Sequence, residues 1–315
     1  MARLAAFNPA VKSMDESVDR AKAAERLGYE SVWVTQLPDA RDAFLVLAAY
    51  GAATERVGLG TGVLPIYTRH PTAMVQMALT LDELTGGRFV LGIGIGHKVV
   101  VEGMWGLKIQ HPVDAMREYL TIVRAGIRDG SGGIDGEHFS AHWAYSAPRR
   151  ADLPIMISAL HPRMLELAGE LADGVVLGWC SPAYVRDGVI PFIKVGREKV
   201  GKSVEGSEIV AVVPACLTSD RGGAHKVFRQ TVERYSHLPY YRKVMDASGF
   251  QQDLDSGQIS EAMLDELGGI GDEHQVRDAI RRYRDAGVTL PGINPFGGHQ
   301  GAAGHVATLE AAATA

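Results

Sequence analysis

A chain of 315 residues with 46% apolar content can bury one large core, and single-domain α/β barrels commonly have this size. Its 32 basic and 37 acidic residues are spread along the chain and leave a net charge of −5, so no basic surface points to nucleic acid. The two cysteines, Cys180 and Cys216, stand at no metal-ligand spacing, the first residues lack the apolar core of a signal peptide, and no apolar run is long enough to cross a bilayer; the expectation is a reduced, cytoplasmic protein with no metal site and no membrane association.

Short β-branched or apolar runs alternate with segments of helical period, the pattern of βα units around a buried parallel sheet. The spacing predicts strands at 4–8, 30–35, 57–63 and 88–93, with helices at 14–27, 42–54 and 71–84 between them. Val18, Ala21, Ala24 and Leu27 share one face of the first helix, and Pro71 opens the third at a favoured first-turn position. A helix at 113–127 follows. Residues 129–150, glycine-rich and then polar and aromatic, match neither period and read as an excursion from the barrel, with a hairpin as its simplest form.

The alternation resumes with strands at 154–158, 174–179 and 208–217 and helices at 162–171 and 183–200. Residues 220–267 hold no strand pattern and read as a helical insertion, a candidate lid. A helix at 273–286, a strand at 287–294 and a helix at 302–313 end the chain. Eight such repeats favour a closed (β/α)8 TIM barrel, one domain over residues 1–315, rather than an open sheet. In a barrel of this kind the chemistry belongs at the C-terminal ends of the strands.

Several of those ends carry suggestive residues. At 91–98, Leu-Gly-Ile-Gly-Ile-Gly-His-Lys, alternate glycines clear one face of a strand, either for a flat ring or phosphate or simply for the taper of the barrel interior. The spacing is not the Gly-x-Gly-x-x-Gly of a dinucleotide site. In the stiff loop at 64–71, Arg69 and His70 either bind an anion or make structural contacts. Where the fifth strand runs into the helix at Pro162, open N–H groups suit a phosphate, with Ser158 as an added donor; an ordinary turn satisfied by water is the alternative. His138 and His142 have metal-ligand spacing but neither a helical setting nor a third ligand. Trp179 is the tryptophan best placed at a strand end, and Cys180 beside it has no base nearby and reads as packing.

Five segments carry a resemblance: AERLGYESVWV at 24–34, ATERVGLGTGV at 53–63, Arg69-His-Pro71, LTGGRFVLGIGIG at 84–96 and LELAGELADGV at 165–175. Their order and spacing resemble the luciferase-like monooxygenase superfamily. YTRHP at 67–71, GHK at 96–98 and PRMLELAG at 162–169 are most similar to its methylenetetrahydromethanopterin-reductase-like branch, whose members use coenzyme F420. The resemblance implies a non-prolyl cis peptide at Gly62–Val63 under the deazaflavin ring and the coenzyme phosphate at the turn Ser158, Ala159, Leu160 and His161. It also implies that Gly94, Gly96 and Lys98 line the ring and its tail, with Asn8, Thr35 and Trp179 bordering the coenzyme.

Relatives tend to carry a carboxylate after the first strand and an acid or histidine after the second, whereas this chain has Asn8 and Thr35-Gln36. His97, Tyr67 and Gln36 are therefore the candidate catalytic groups, His97 first because an imidazole exchanges protons near neutral pH. The implied reaction is hydride transfer between the deazaflavin C5 and an unsaturated carbon (C=C, C=N or C=O) of a small substrate. FMN-dependent monooxygenation on the same barrel and a non-catalytic coenzyme-binding barrel are the alternatives. The resemblance further implies a homodimer paired through the N-terminal helices.

Overall fold

The computed structural model describes residues 3–8, 13–296 and 301–314, the last stretch with side chains from 303. Strands β1 (Ala5–Phe7), β2 (Ser31–Val34), β3 (Gly58–Thr61), the two-residue β4 (Leu64–Pro65) and β5 (Phe89–Gly94) precede a hairpin of β6 (Ser131–Asp135) and β7 (Ser140–Ala144). β8 (Ile155–Ser158), β9 (Gly174–Leu177), β10 (Glu208–Leu217), β11 (Gly269–Gly271) and β12 (Leu290–Pro295) follow. Parallel pairing runs β1-β2-β3-β5-β8-β9-β10-β12 and returns from β12 to β1, which closes an eight-stranded barrel with helices outside it. The fold is a (β/α)8 barrel of a single domain.

Glycine decides how the interior fills. Phe7 and Trp33 stack inside the barrel, ring centroids 5.9 Å apart. A Cβ on Gly60 would come within 2.5 Å of the Trp33 ring, and one on Gly292 within 2.4 Å of Phe7. Neighbouring strands thus give up side chains so that two large rings can occupy the middle. The second core lies between strands and helices, where Leu47, Leu59, Leu79, Phe89 and Ile155 are fully buried.

The N-terminal face is tied down by side chains that answer backbone groups. Glu25 accepts from the N–H groups of Arg56 and Val57 at 2.7 and 2.9 Å. Arg88 donates to the carbonyls of Val57, Gly51 and Thr54 at 2.9, 3.0 and 3.1 Å. Asp82, buried, accepts from Arg150 at 2.8 and 3.0 Å and from the N–H of Phe89 at 3.3 Å.

Three local features depart from the expected pattern. The strand expected at 57–63 ends at Thr61, before the Gly62–Val63 bond, which is cis as the resemblance implied, and the chain pairs again as β4 against Ile93 and Gly94. The helix expected at 183–200 is Pro182–Tyr184, a wider π turn at Val185–Val189, and Ile190–Lys199; Pro191 has no N–H to donate and crowds the carbonyl four residues back. β11 was not expected. It is three residues long with glycine at both ends, too short for any period to register, and it pairs with Ala215–Leu217 at the upper end of β10. The residues at 129–150 do contain a hairpin, and those at 220–267 are helices Arg221–Ser236, Pro239–Met245, Gln251–Ser256 and Glu261–Leu267 around Phe228, Val232, Met245 and Met263. Among the described residues no helix is long and apolar enough to cross a membrane.

Candidate active site

At the C-terminal mouth of the barrel lies a cavity of about 260 Å³. Strand ends supply its walls: Asn8 after β1, Thr35 and Gln36 after β2, Gly62 and Val63 after β3, Gly96 and His97 after β5, Ser158 at the end of β8, Trp179 after β9 and Asn294 in β12. Phe7, Val176 and Val212 form an apolar floor, and Tyr235 and Tyr241 of the helical insertion border the same space.

The wall at β3 and β5 is backbone. Gly62 has Phe7 behind it, where a Cβ would stand 2.7 Å from the ring. Gly96 turns the chain from β5 into helix Lys98–Val101 with φ 80°, a conformation that glycine adopts without the Cβ clash other residues meet. An aromatic wall borders the same space. Trp179 has φ 59°, uncommon for a bulky residue, and its ring lies 4.4 Å from Tyr235 and 6.0 Å from Phe228. His97 packs against Tyr241 at 5.5 Å and Tyr235 at 6.1 Å, and burial lowers its imidazole below the ordinary histidine value.

Two orphaned polar atoms mark the side of the mouth where helix Pro162–Leu171 begins. The Tyr67 hydroxyl and His161 Nε2 are buried without a hydrogen-bond partner. Burial raises the Tyr67 phenol to about 12 and lowers the His161 imidazole, with Lys243 adding to the latter shift. His161 does not cap its helix with its side chain, and Pro162 occupies the first position, so the N-terminal N–H groups of the helix are not answered by that side chain. An anionic group fits such a helix end.

The family model for luciferase-like monooxygenases matches residues 2–290. The chain belongs to the luciferase-like monooxygenase family. It is 31% identical over 309 residues to a Mycobacterium tuberculosis protein described as a coenzyme F420-dependent oxidoreductase, covering 85% of this chain and 87% of the relative. It is 28% identical over 286 residues to 5,10-methylenetetrahydromethanopterin reductase of Methanolobus tindarius, covering 85% of this chain and 86% of that one. The fold matches that of the coenzyme F420-dependent tetrahydromethanopterin reductase of Methanopyrus kandleri with a TM-score of 0.82 at 22% identity, covering 99% of this chain and 97% of the other. Like these relatives, the chain is an oxidoreductase.

Within this luciferase-like barrel the residues singled out in the sequence separate into groups. Asn8, Thr35, Gln36, Gly62, Val63, Gly96, His97, Ser158 and Trp179 come together around the cavity. Tyr67 and His161 lie outside its wall, each with an orphaned atom. Gly94, Lys98, Ala159 and Leu160 do not line it. A Cβ on Gly94 would meet Val63 Cγ2 at 2.7 Å, and one on Gly92 the Thr61 carbonyl oxygen at 1.9 Å; those glycines exist for strand packing. Lys98 is exposed and 3.5 Å from Glu102. Ala159 is buried in the outer core, and the Leu160 carbonyl accepts from the Tyr184 hydroxyl at 2.6 Å.

Gln36 is also committed elsewhere. Its Oε1 accepts from the Ala43 N–H at 3.0 Å and its Nε2 donates to the Leu37 carbonyl at 3.4 Å, so it braces the loop after β2 rather than offering a free amide for chemistry. Asn8 donates to the Tyr50 hydroxyl at 2.6 Å and the Ser17 carbonyl at 3.0 Å, leaving Oδ1 without a partner. For Arg69 and His70 the structural reading holds: Arg69 pairs with Asp42 and lies over the Phe44 ring, and His70 is the N-cap of helix Pro71–Leu84. Sequence reading passed over Pro38, Val100 and Gly178 in the wall. They are apolar or small residues, Val100 in the short helix Lys98–Val101 and the others in connections, with no periodicity or chemistry to announce them.

Proposed function

We propose that the chain is an F420-dependent oxidoreductase that transfers a hydride between the deazaflavin and an unsaturated carbon of a small substrate. The observation that carries this reading is one cavity lined both by backbone at Gly62, Val63 and Gly96 and by the aromatic rings of Trp179, Tyr235 and Tyr241, with Ser158 in its lining four residues before helix Pro162–Leu171. A planar ring suits the first feature and an anionic tail the second. The names of the relatives from Mycobacterium tuberculosis and Methanolobus tindarius support the same coenzyme.

When bound, reduced F420 supplies the hydride. The chain supplies the rest. Gly62 and Val63 would support the ring, and Ser158 with the orphaned Tyr67 hydroxyl and His161 Nε2 would hold the phosphate and tail. Phe7, Val176 and Trp179 keep water from the reacting face. His97, held neutral by burial, offers an N–H at one ring nitrogen and a lone pair at the other, so it can orient a substrate heteroatom and relay a proton to it while taking one up from solvent at the second nitrogen.

Titrating the purified protein with F420 and, separately, with FMN tests the reading. Saturable binding of F420 is the expected result; tight binding of FMN with none of F420 would make the flavin monooxygenase reading the better one, and binding of neither would favour a barrel without this chemistry. Ser158→Asp places a carboxylate where the phosphate is proposed to sit and should weaken F420 binding about 100-fold or more. Unchanged affinity would move the phosphate elsewhere. Pairing into a homodimer through the N-terminal helices belongs to the same reading; sedimentation analysis decides it. So does a reducing, cytoplasmic setting, in keeping with two buried, free cysteines.

A further inference from the structure

Among the described residues, the wall of the main cavity contains no Asp, Glu, Lys or Arg. Its ionisable groups are His97, Tyr235 and Tyr241. Burial lowers the His97 imidazole and raises the Tyr241 phenol, which leaves both uncharged near neutral pH. The neighbouring charges are occupied or outside. Arg69 lines an adjoining recess of about 330 Å³ and pairs with Asp42. Arg234, 5.6 Å from the Tyr235 ring, is exposed and is not part of the wall. A charged group entering this space would exchange water for a wall that offers no counter-ion among the described residues, which is strongly unfavourable.

The residues that line the cavity include Tyr241 and Tyr235, whose hydroxyls have no hydrogen-bond partner among the described residues. The two rings meet at 87° with centroids 5.2 Å apart, and the Trp179 ring lies 4.4 Å from Tyr235, so the tyrosines form a corner of flat aromatic surfaces. An unanswered phenol in an aromatic corner suits a planar ligand with a single acceptor.

We propose that the part of the substrate seated in this cavity is an uncharged, planar carbonyl compound, an aryl or conjugated ketone or aldehyde, whose oxygen accepts a hydrogen bond from Tyr241 beside His97. The substrate class rests on reading the cavity as a redox site. The selectivity for neutral ligands rests on the wall alone.

Equilibrium binding of four probes of similar size tests it, followed by quenching of tryptophan fluorescence or by calorimetry, on the protein as purified and after saturation with F420. The probes are acetophenone, benzoate, benzyltrimethylammonium and ethylbenzene. Acetophenone should bind saturably, and benzoate and the ammonium ion should bind at least about 100-fold more weakly. Tyr241→Phe should weaken acetophenone about tenfold and leave ethylbenzene unchanged, because the ring stays and only the donor is lost. Either ion binding within about tenfold of acetophenone, no binding of acetophenone, or equal effects of Tyr241→Phe on acetophenone and ethylbenzene would overturn the proposal. The coenzyme reading fails separately: selectivity for the neutral ketone in a protein that does not bind F420 would remove F420 and leave the preference for neutral ligands standing.

Discussion

His97 is the side chain on which the chemistry is proposed to turn, and its environment makes a signed prediction. Burial lowers its imidazole, so it is neutral at neutral pH and takes a proton only on the acid side, below the ordinary histidine value. The rate kcat/KM should therefore hold through neutrality and fall toward acid pH. His97→Gln keeps a hydrogen-bonding group but removes the titration; turnover should drop roughly 100-fold, the acid limb should flatten, and F420 affinity should change little. A limb that persists in the variant belongs to another group. His97 was legible in the sequence because it follows a glycine-rich strand end. Tyr235 and Tyr241 were legible only as aromatics of an insertion, since their approach to His97 depends on how helices remote in sequence fold back over the mouth.

Among the elements, β5 shows how one pattern serves two purposes. Of its alternating glycines and the one that follows, Gly92 and Gly94 admit the neighbouring strand and Val63, and Gly96 alone reaches the cavity wall. No count of glycines could separate these uses, because each depends on what the adjacent strand places opposite. The loop that carries β5 is anchored at its base by Asp82, whose carboxylate joins helix Pro71–Leu84 to Arg150 and the Phe89 N–H. Asp82→Ala would leave the Arg150 guanidinium and that N–H without their acceptor. We expect a loss of about 3 kcal/mol, measured as a lower urea midpoint at unchanged slope. A change under about 1 kcal/mol would show that water replaces the carboxylate there.

The whole molecule closes through its last helix, Gly301–Ala313. The Leu309 carbonyl accepts from the Tyr29 hydroxyl at 2.9 Å, and Thr308 Oγ1 accepts from the Leu217 N–H at 3.1 Å, which ties this helix to the barrel wall at two places. His305 is buried on the same helix, and burial, with Arg20 nearby, lowers its imidazole to about 3. In the unfolded chain it protonates near the ordinary value of about 6.5. Between those values the unfolded state holds the extra proton, so His305 favours folding fully above about 6.5 and loses that contribution as pH falls toward 3. Denaturation curves should show up to about 1.4 kcal/mol lost per pH unit in that window, and His305→Gln should reduce the slope. An unaltered slope would assign the acid lability to other groups.

Period and composition alone determined the eight strands of the barrel, the helices between them, the excursion at 129–150 and the helical insertion at 220–267, because burying one face of a strand or helix imposes a repeat that the chain must carry locally. They also determined which strand ends meet at the mouth, since parallel barrels place every C-terminal end on one side. Only the tertiary structure decided the short β11, the commitment of Gln36 and Arg69 to structural partners, the packing of Gly92 and Gly94 against the neighbouring strand, and the uncharged wall built from two tyrosines of the insertion. Those outcomes depend on contacts between residues far apart in the chain, where no local repeat records which side chain answers which.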